Sequence, residues 1–160
     1  MISAVLVLLA VLFVTPASVA GSYPCAAPSA MSLRLEGTGI LVTHHDAVYG
    51  CCMWAGYTLT RDGTRLILQE TEHPIGGGCD CICCYQLAAL IANVPPGAWT
   101  VVLRGDGFEF TDSIVVSAPP PGEGDGIALG GYGQSVCGGT DIVGLDPPIA
   151  SWGALKSAYR

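Results

Sequence analysis

The chain predicts an all-β fold, a sandwich of two packed sheets, and three observations carry that expectation. Charged residues make up only 12% of 160, while Gly numbers 22 and Pro 11, a mix that suits short strands and turns better than long amphipathic helices. β-prone runs rich in aliphatic, aromatic and Thr residues recur at roughly 8–12-residue spacing. Turn signals containing Gly or Pro separate them.

Each element has its own signal. Leu33 and Leu35 alternate with Arg34 and Glu36, and Gly37-Thr38-Gly39 marks a turn into a second run, residues 40–44. Residues 48–60 form a long run rich in Tyr, Cys, Trp and Thr. Arg61-Asp62-Gly63-Thr64 reads as a hairpin turn with Asp-Gly at its centre, and residues 66–70 return from it. Residues 85–94 contain strong helix formers, Leu87-Ala88-Ala89-Leu90. A short apolar run among strands is better read as a buried strand. Pro95-Pro96-Gly97 turns into Trp99-Thr100-Val101-Val102-Leu103, the clearest strand, and Gly105-Asp106-Gly107 turns again into residues 108–117.

About seven strands over residues 31–118 resemble an immunoglobulin-like β-sandwich. Val94-Pro95-Pro96-Gly97-Ala98-Trp99-Thr100-Val101 resembles the corner that enters a late strand of many such domains, with Trp99 where Tyr is usual.

The flanks differ in composition. Residues 1–20 read as an export signal: an apolar run from Ile2 to Val14, a break at Pro16, and small residues at Ser18-Val19-Ala20. The run is too short to span a bilayer of about 30 Å, so the mature chain is expected to lack a transmembrane span. No Lys or Arg precedes the run, an atypical feature for a signal. Residues 21–118 are the expected cysteine-rich domain. Residues 119–150, rich in Pro and Gly, read as a flexible linker. Residues 151–160 read as a tail that puts Trp152, Leu155 and Tyr159 on one helical face. Net charge is −7 with six scattered basic residues, so no basic patch exists to neutralise phosphates and nucleic acid is not an expected partner.

The functional question lies in the cysteines. Cys79-Asp80-Cys81-Ile82-Cys83-Cys84 follows Gly76-Gly77-Gly78, and Cys51-Cys52 lies earlier; Cys25 and Cys137 complete the 8 cysteines. In an exported chain an even cysteine count reads as a disulfide framework. If residues 79–84 are extended, Cys79, Cys81 and Cys83 share one face and Cys84 takes the other. Same-face neighbours then sit about 6.5 Å apart, whereas two thiolates on one zinc need sulfurs at roughly 3.8 Å. The preferred reading bonds Cys51 and Cys52 into the 79–84 group, leaving two of that group for Cys25 and Cys137.

The alternative is a metal site for zinc or copper built from His44, Cys52, Cys79, Cys81 and Cys83. Met53 would add a thioether, and Glu70 or His73 would stand behind it. A second alternative is thiol–disulfide redox chemistry, disfavoured because Asp80 sits inside the stretch with no Lys or Arg beside it. Glu70 and Glu72 share a strand face and read as solvated. Trp54, Tyr57 and Trp99 read as core or corner aromatics. Serine-hydrolase elbow, phosphate-loop and zinc-protease motifs are absent from the sequence, and no catalytic residue is expected.

One further resemblance exists. Val42-Thr43-His44-His45-Asp46-Ala47-Val48-Tyr49-Gly50-Cys51-Cys52, the run Leu66-Ile67-Leu68-Gln69-Glu70, and Cys79-x-Cys81-x-Cys83-x-Tyr85-x-Leu87 resemble a group of exported bacterial proteins, many of them lipoproteins. These carry a His–Asn-Ala-x-aromatic-Asn-Cys-Cys segment followed by Cys-x-Cys-x-Cys-x-aromatic-Asp-Leu. The match covers residues 40–104. This chain departs by Gly50 for Asn, Gln86 for Asp, the extra Cys84, and the lack of a lipid-anchoring cysteine. The resemblance implies an exported β-domain and names no reaction. Together these readings predict a non-catalytic structural or binding module of the cell envelope or exterior, with a protein or envelope component as partner and no cofactor.

Overall fold

The computed structural model describes residues 25–76, 80–117 and 126–146. The signal expected at 1–20 and the tail at 151–160 lie outside them, as does Cys79. Nine strands form among the described residues: β1 (Ala30–Glu36), β2 (Gly39–Gly50), β3 (Met53–Asp62), β4 (Arg65–Pro74), β5 (Ile82–Ala92), β6 (Gly97–Gly105), β7 (Phe108–Val116), β8 (Ala128–Ser135) and β9 (Ile142–Asp146). They make a β-sandwich of two sheets, β1-β2-β5-β8-β9 and β3-β4-β6-β7. No described residue is helical. Among those residues, no helix is long and apolar enough to cross a membrane.

The hairpins sit where the turn residues direct. Gly37-Thr38 joins β1 to β2 and Asp106-Gly107 joins β6 to β7, with Gly37 at φ 57° and Gly107 at φ 81°. The β3–β4 turn falls one residue later than the Asp-Gly reading. Asp62 pairs with Arg65, and Gly63 takes the first central position at φ 58°. A positive φ at that position matches the twist of the flanking strands and favours glycine.

Two strand expectations are corrected. Residues 48–60 are not one strand: β2 ends at Gly50 and β3 starts at Met53, so the chain changes sheets at Cys51-Cys52. The segment 126–146, expected within a flexible linker, instead supplies β8 and β9 and widens the first sheet. Its glycines hide the pattern. Gly131 and Gly133 alternate with Tyr132 and Gln134 but offer no apolar side chain to mark a face.

Residues 85–94 resolve as expected for a buried strand, with Leu87, Ala89 and Ile91 fully buried in β5 and Val94 just beyond it. Between β4 and β6 the chain crosses to the other sheet to form β5. It therefore returns to pair β6 parallel to β4, the one parallel ladder among the described residues.

The core divides along the strands. One end is aliphatic, with Ile40, Val42, Leu66, Leu68, Ile91 and Val101 among its members. The other holds Ala47, Met53, Ala55, Cys83, Tyr85 and Leu87. Trp99 seals the first by donating its indole N–H to the Pro95 carbonyl at 2.9 Å. That bond supplies a corner contact through Trp where Tyr is usual.

The sheets are also joined at an edge. The Gln134 amide of β8 accepts from Ala55 N–H at 3.0 Å and donates to the Met53 carbonyl at 3.3 Å, covering the free edge of β3. Gln134→Leu is expected to cost about 2 kcal/mol, since it strands a buried donor. The shift in urea midpoint at unchanged slope reads that loss.

Candidate functional site

Two constellations occupy the cysteine half of the sandwich. The first begins with the register of β2 on β5. Ile40, Val42 and His44 face inward opposite Ile91, Ala89 and Leu87. A bulge between His44 and Ala47, with Asp46 at φ 49°, inserts a residue, so Ala47 and Tyr49 return inward opposite Tyr85 and Cys83. Bulges of this kind re-aim side chains. Across the core, Leu66, Leu68 and Glu70 alternate inward along β4, and all three are buried. Tyr57 on β3 sits directly opposite Glu70 in the ladder.

Glu70 is therefore a carboxylate in the core, only 1% exposed, and His44 is 2% exposed. Its oxygens are saturated. Tyr49 donates its hydroxyl to Oε1 at 2.5 Å, Tyr57 donates to Oε2 at 2.8 Å, and His44 Nδ1 lies 3.0 and 3.1 Å from the two. The other imidazole nitrogen, Nε2, is 2.6 Å from Ser29 Oγ. Phe108 and Phe110 of β7 pack on the ring at centroid distances of 4.7 and 5.4 Å. Burial, then the nearby Glu70 charge and its hydrogen bond, hold the Tyr49 and Tyr57 phenols above their ordinary value of 10.0. Both stay protonated donors. No buried side-chain N or O among the described residues lacks a partner.

The second constellation is sulfur. Cys84 bonds to Cys25, Cys81 to Cys51, and Cys83 to Cys137, and Cys52 is also disulfide-bonded. The start of β5 and the residue before it thus hold three distant parts of the chain: the N-terminal arm, the sheet switch after β2, and the β8–β9 turn. Alternation explains the division. Cys83 points inward beside Tyr85, while Cys84 points outward to the arm. Backbone bonds reinforce it, from Cys51 N to Cys81 O at 3.2 Å and from Gly138 N to Cys84 O at 2.9 Å. Tyr85 adds its hydroxyl, donated to the Gly50 and Cys51 carbonyls at 3.2 and 2.9 Å.

Compared with known proteins, the chain matches no family model, no curated protein and no solved structure.

Of the metal set read from the sequence, Cys79 lies outside the described residues, and His44 stands apart from Cys83. His44 pairs with Leu87, four residues from Cys83, so about 13 Å of strand separates them. Both His44 nitrogens are engaged by Glu70 and Ser29, and Cys81 and Cys83 are in bridges. Met53 is core, and His73 stacks on Trp54 at 4.2 Å. Among the described residues, the sulfurs of Cys51, Cys83 and Cys137 converge, all within 4.8 Å of one another, with Cys51 and Cys83 at 3.0 Å.

The reading of Glu70 is also corrected. It is not on a solvated face; only Glu72 is exposed, and it accepts from Gly50 N–H at 3.2 Å. The alternation Leu66-x-Leu68-x-Glu70 was the available signal, because the strand period puts Glu70 on the same face as the two core leucines. Ser29 carried no signal, since only the tertiary fold brings it to His44.

Proposed function

We propose that this chain is an exported, disulfide-locked β-sandwich serving as a structural or binding module of a cell envelope or its exterior. One observation carries the reading: Cys81, Cys83 and Cys84, within four consecutive residues, bond to three separate parts of the chain. Such a clasp fixes a surface, and it is stable only where thiols are oxidised. The likeness of residues 40–104 to exported bacterial, lipoprotein-like proteins points to the same compartment. In this reading the cysteines are structural, the partner is a protein or envelope component, and no cofactor takes part.

The convergence of Cys51, Cys83 and Cys137 favours one second reading, in which the reduced cluster takes zinc or Cu(I) through thiolates. Mass spectrometry of protein recovered from an oxidising compartment separates the two, run native and then denatured, with and without alkylation. The clasp predicts no alkylatable thiol and no metal adduct. Four or more alkylatable thiols with a zinc- or copper-sized adduct would replace it with the metal reading.

A further inference from the structure

Ser29, His44 and Glu70 form an unbroken chain from a half-buried hydroxyl through a buried imidazole to a buried carboxylate. Glu70 accepts from two tyrosine hydroxyls and faces Nδ1, so a neutral His44 carries its proton on Nδ1 and leaves the Nε2 lone pair for Ser29. That is the tautomer a general base requires. Phe108 and Phe110 close the sides of the ring and keep the relay in a low-dielectric setting where the carboxylate's charge acts strongly.

Ser29 is held from both directions. The Cys25–Cys84 bridge pins the chain four residues before it, and the Ala30–His45 pairing fixes it one residue after. The β2 bulge immediately follows His44. Preorganisation of this kind is what a reacting group needs.

We propose that Ser29 is a nucleophile, His44 its general base and Glu70 the residue that positions and charge-stabilises the imidazole, acting on carboxylic esters. Ser29 Oγ bonds to the carbonyl carbon as its proton passes to Nε2. The ester C–O bond breaks, and the Nε2 proton leaves with the alkoxide as an alcohol. Water then repeats the sequence, releasing the acid and restoring Ser29. This proposal does not rest on the scaffold role of the cysteines.

The molecule contains its own control. On the opposite face of β2, Ser32 Oγ lies 2.7 Å from His45 Nε2, and His45 Nδ1 lies 2.9 Å from Gln86 Oε1. The geometry repeats, but a neutral amide replaces the carboxylate, Ser32 is exposed, and His45 and Gln86 are only half-buried. Gln86 can orient His45 yet cannot stabilise an imidazolium by charge. Ser32 should therefore be inert.

The experiment is fluorophosphonate labelling of the oxidised full chain, with peptide mapping and the rate of adduct formation. Expected is an adduct on Ser29 and none on Ser32, loss of labelling in Ser29→Ala, and slowing on the order of 10²-fold in His44→Gln. Glu70→Gln should slow labelling and Glu70→Asp should recover part of the rate, with melting followed in parallel. A role limited to packing would not produce that rescue. The Ser29-against-Ser32 comparison uses unmutated protein, so it stands even where a core variant fails to fold. Absence of a Ser29 adduct on folded protein, equal labelling of both serines, or an unchanged rate in a folded His44→Gln would overturn the proposal.

Discussion

Glu70→Leu is expected to destabilise the fold by about 3–5 kcal/mol, the range for removing one partner of a buried charged group. The leucine is close to Glu70 in size but accepts no hydrogen bond, so the loss comes from what remains. Tyr49, Tyr57 and His44 would keep donors pointing at a site that no longer accepts them. Each stranded donor costs its desolvation. Against a total stability of roughly 5–15 kcal/mol, the loss shows as a large fall in urea midpoint. Glu70→Gln should cost less, about 1–3 kcal/mol, because one carbonyl oxygen still accepts. Equal midpoints for Glu70→Leu and the parent would mean that the three donors find other partners and that the carboxylate does not organise this core.

The same site sets an alkaline limit. The Tyr49 and Tyr57 phenols are raised in the folded state, first by burial and then by Glu70. Above pH 10.0, the ordinary phenol value, the unfolded chain loses those protons while the folded chain keeps them. The unfolded state then binds fewer protons, so stability falls as pH rises. Below that pH the contribution is fully present. Phenolate absorbance followed alongside unfolding at rising pH checks the sign.

How far the sequence discloses this molecule differs from strand to strand. The sandwich was legible because turn glycines and aliphatic alternation agree: Gly37 and Gly107 turn where expected, and residues 85–92 lie in a strand despite helix-forming Leu and Ala. That last segment follows burial over propensity, since β5 lies between β2 and β8 with much of its length in the core. β8 was not legible because Gly130, Gly131 and Gly133 carry no face-marking side chains. The break at Cys51-Cys52 was not legible either. A cysteine pair has no turn propensity, and here the bridge from Cys51 to Cys81 and the Ile75 N–H bonded to the Cys52 carbonyl at 2.8 Å hold the crossing. Of the candidate site, the alternation of cysteine faces could be read from strand period alone. The Ser29-His44-Glu70 relay could not, since its members come from three segments and two sheets.

Removal of the Cys83–Cys137 bridge, as Cys83→Ser with Cys137→Ser, is expected to cost about 4 kcal/mol by the chain-entropy relation for a sequence separation of 54. The reason it matters lies in the two halves of the core. The aliphatic end buries Ile40, Val42, Leu66, Leu68, Ile91, Val101 and Leu103, enough apolar area to hold itself. The cysteine end buries two alanines and one cysteine among its six core residues, and small side chains return little from burial. Covalent closure offsets that deficit, so the double variant should lose hydrogen-exchange protection first in β8 and the start of β5, while β4 and β6 keep theirs. Loss of Cys25–Cys84, with a separation of 59, should cost a similar amount yet act elsewhere, releasing the arm that carries Ser29 and leaving β8 protected. Uniform loss of protection in both variants would mean that the two ends unfold as one unit and that the bridges stabilise the whole sandwich through the unfolded chain alone.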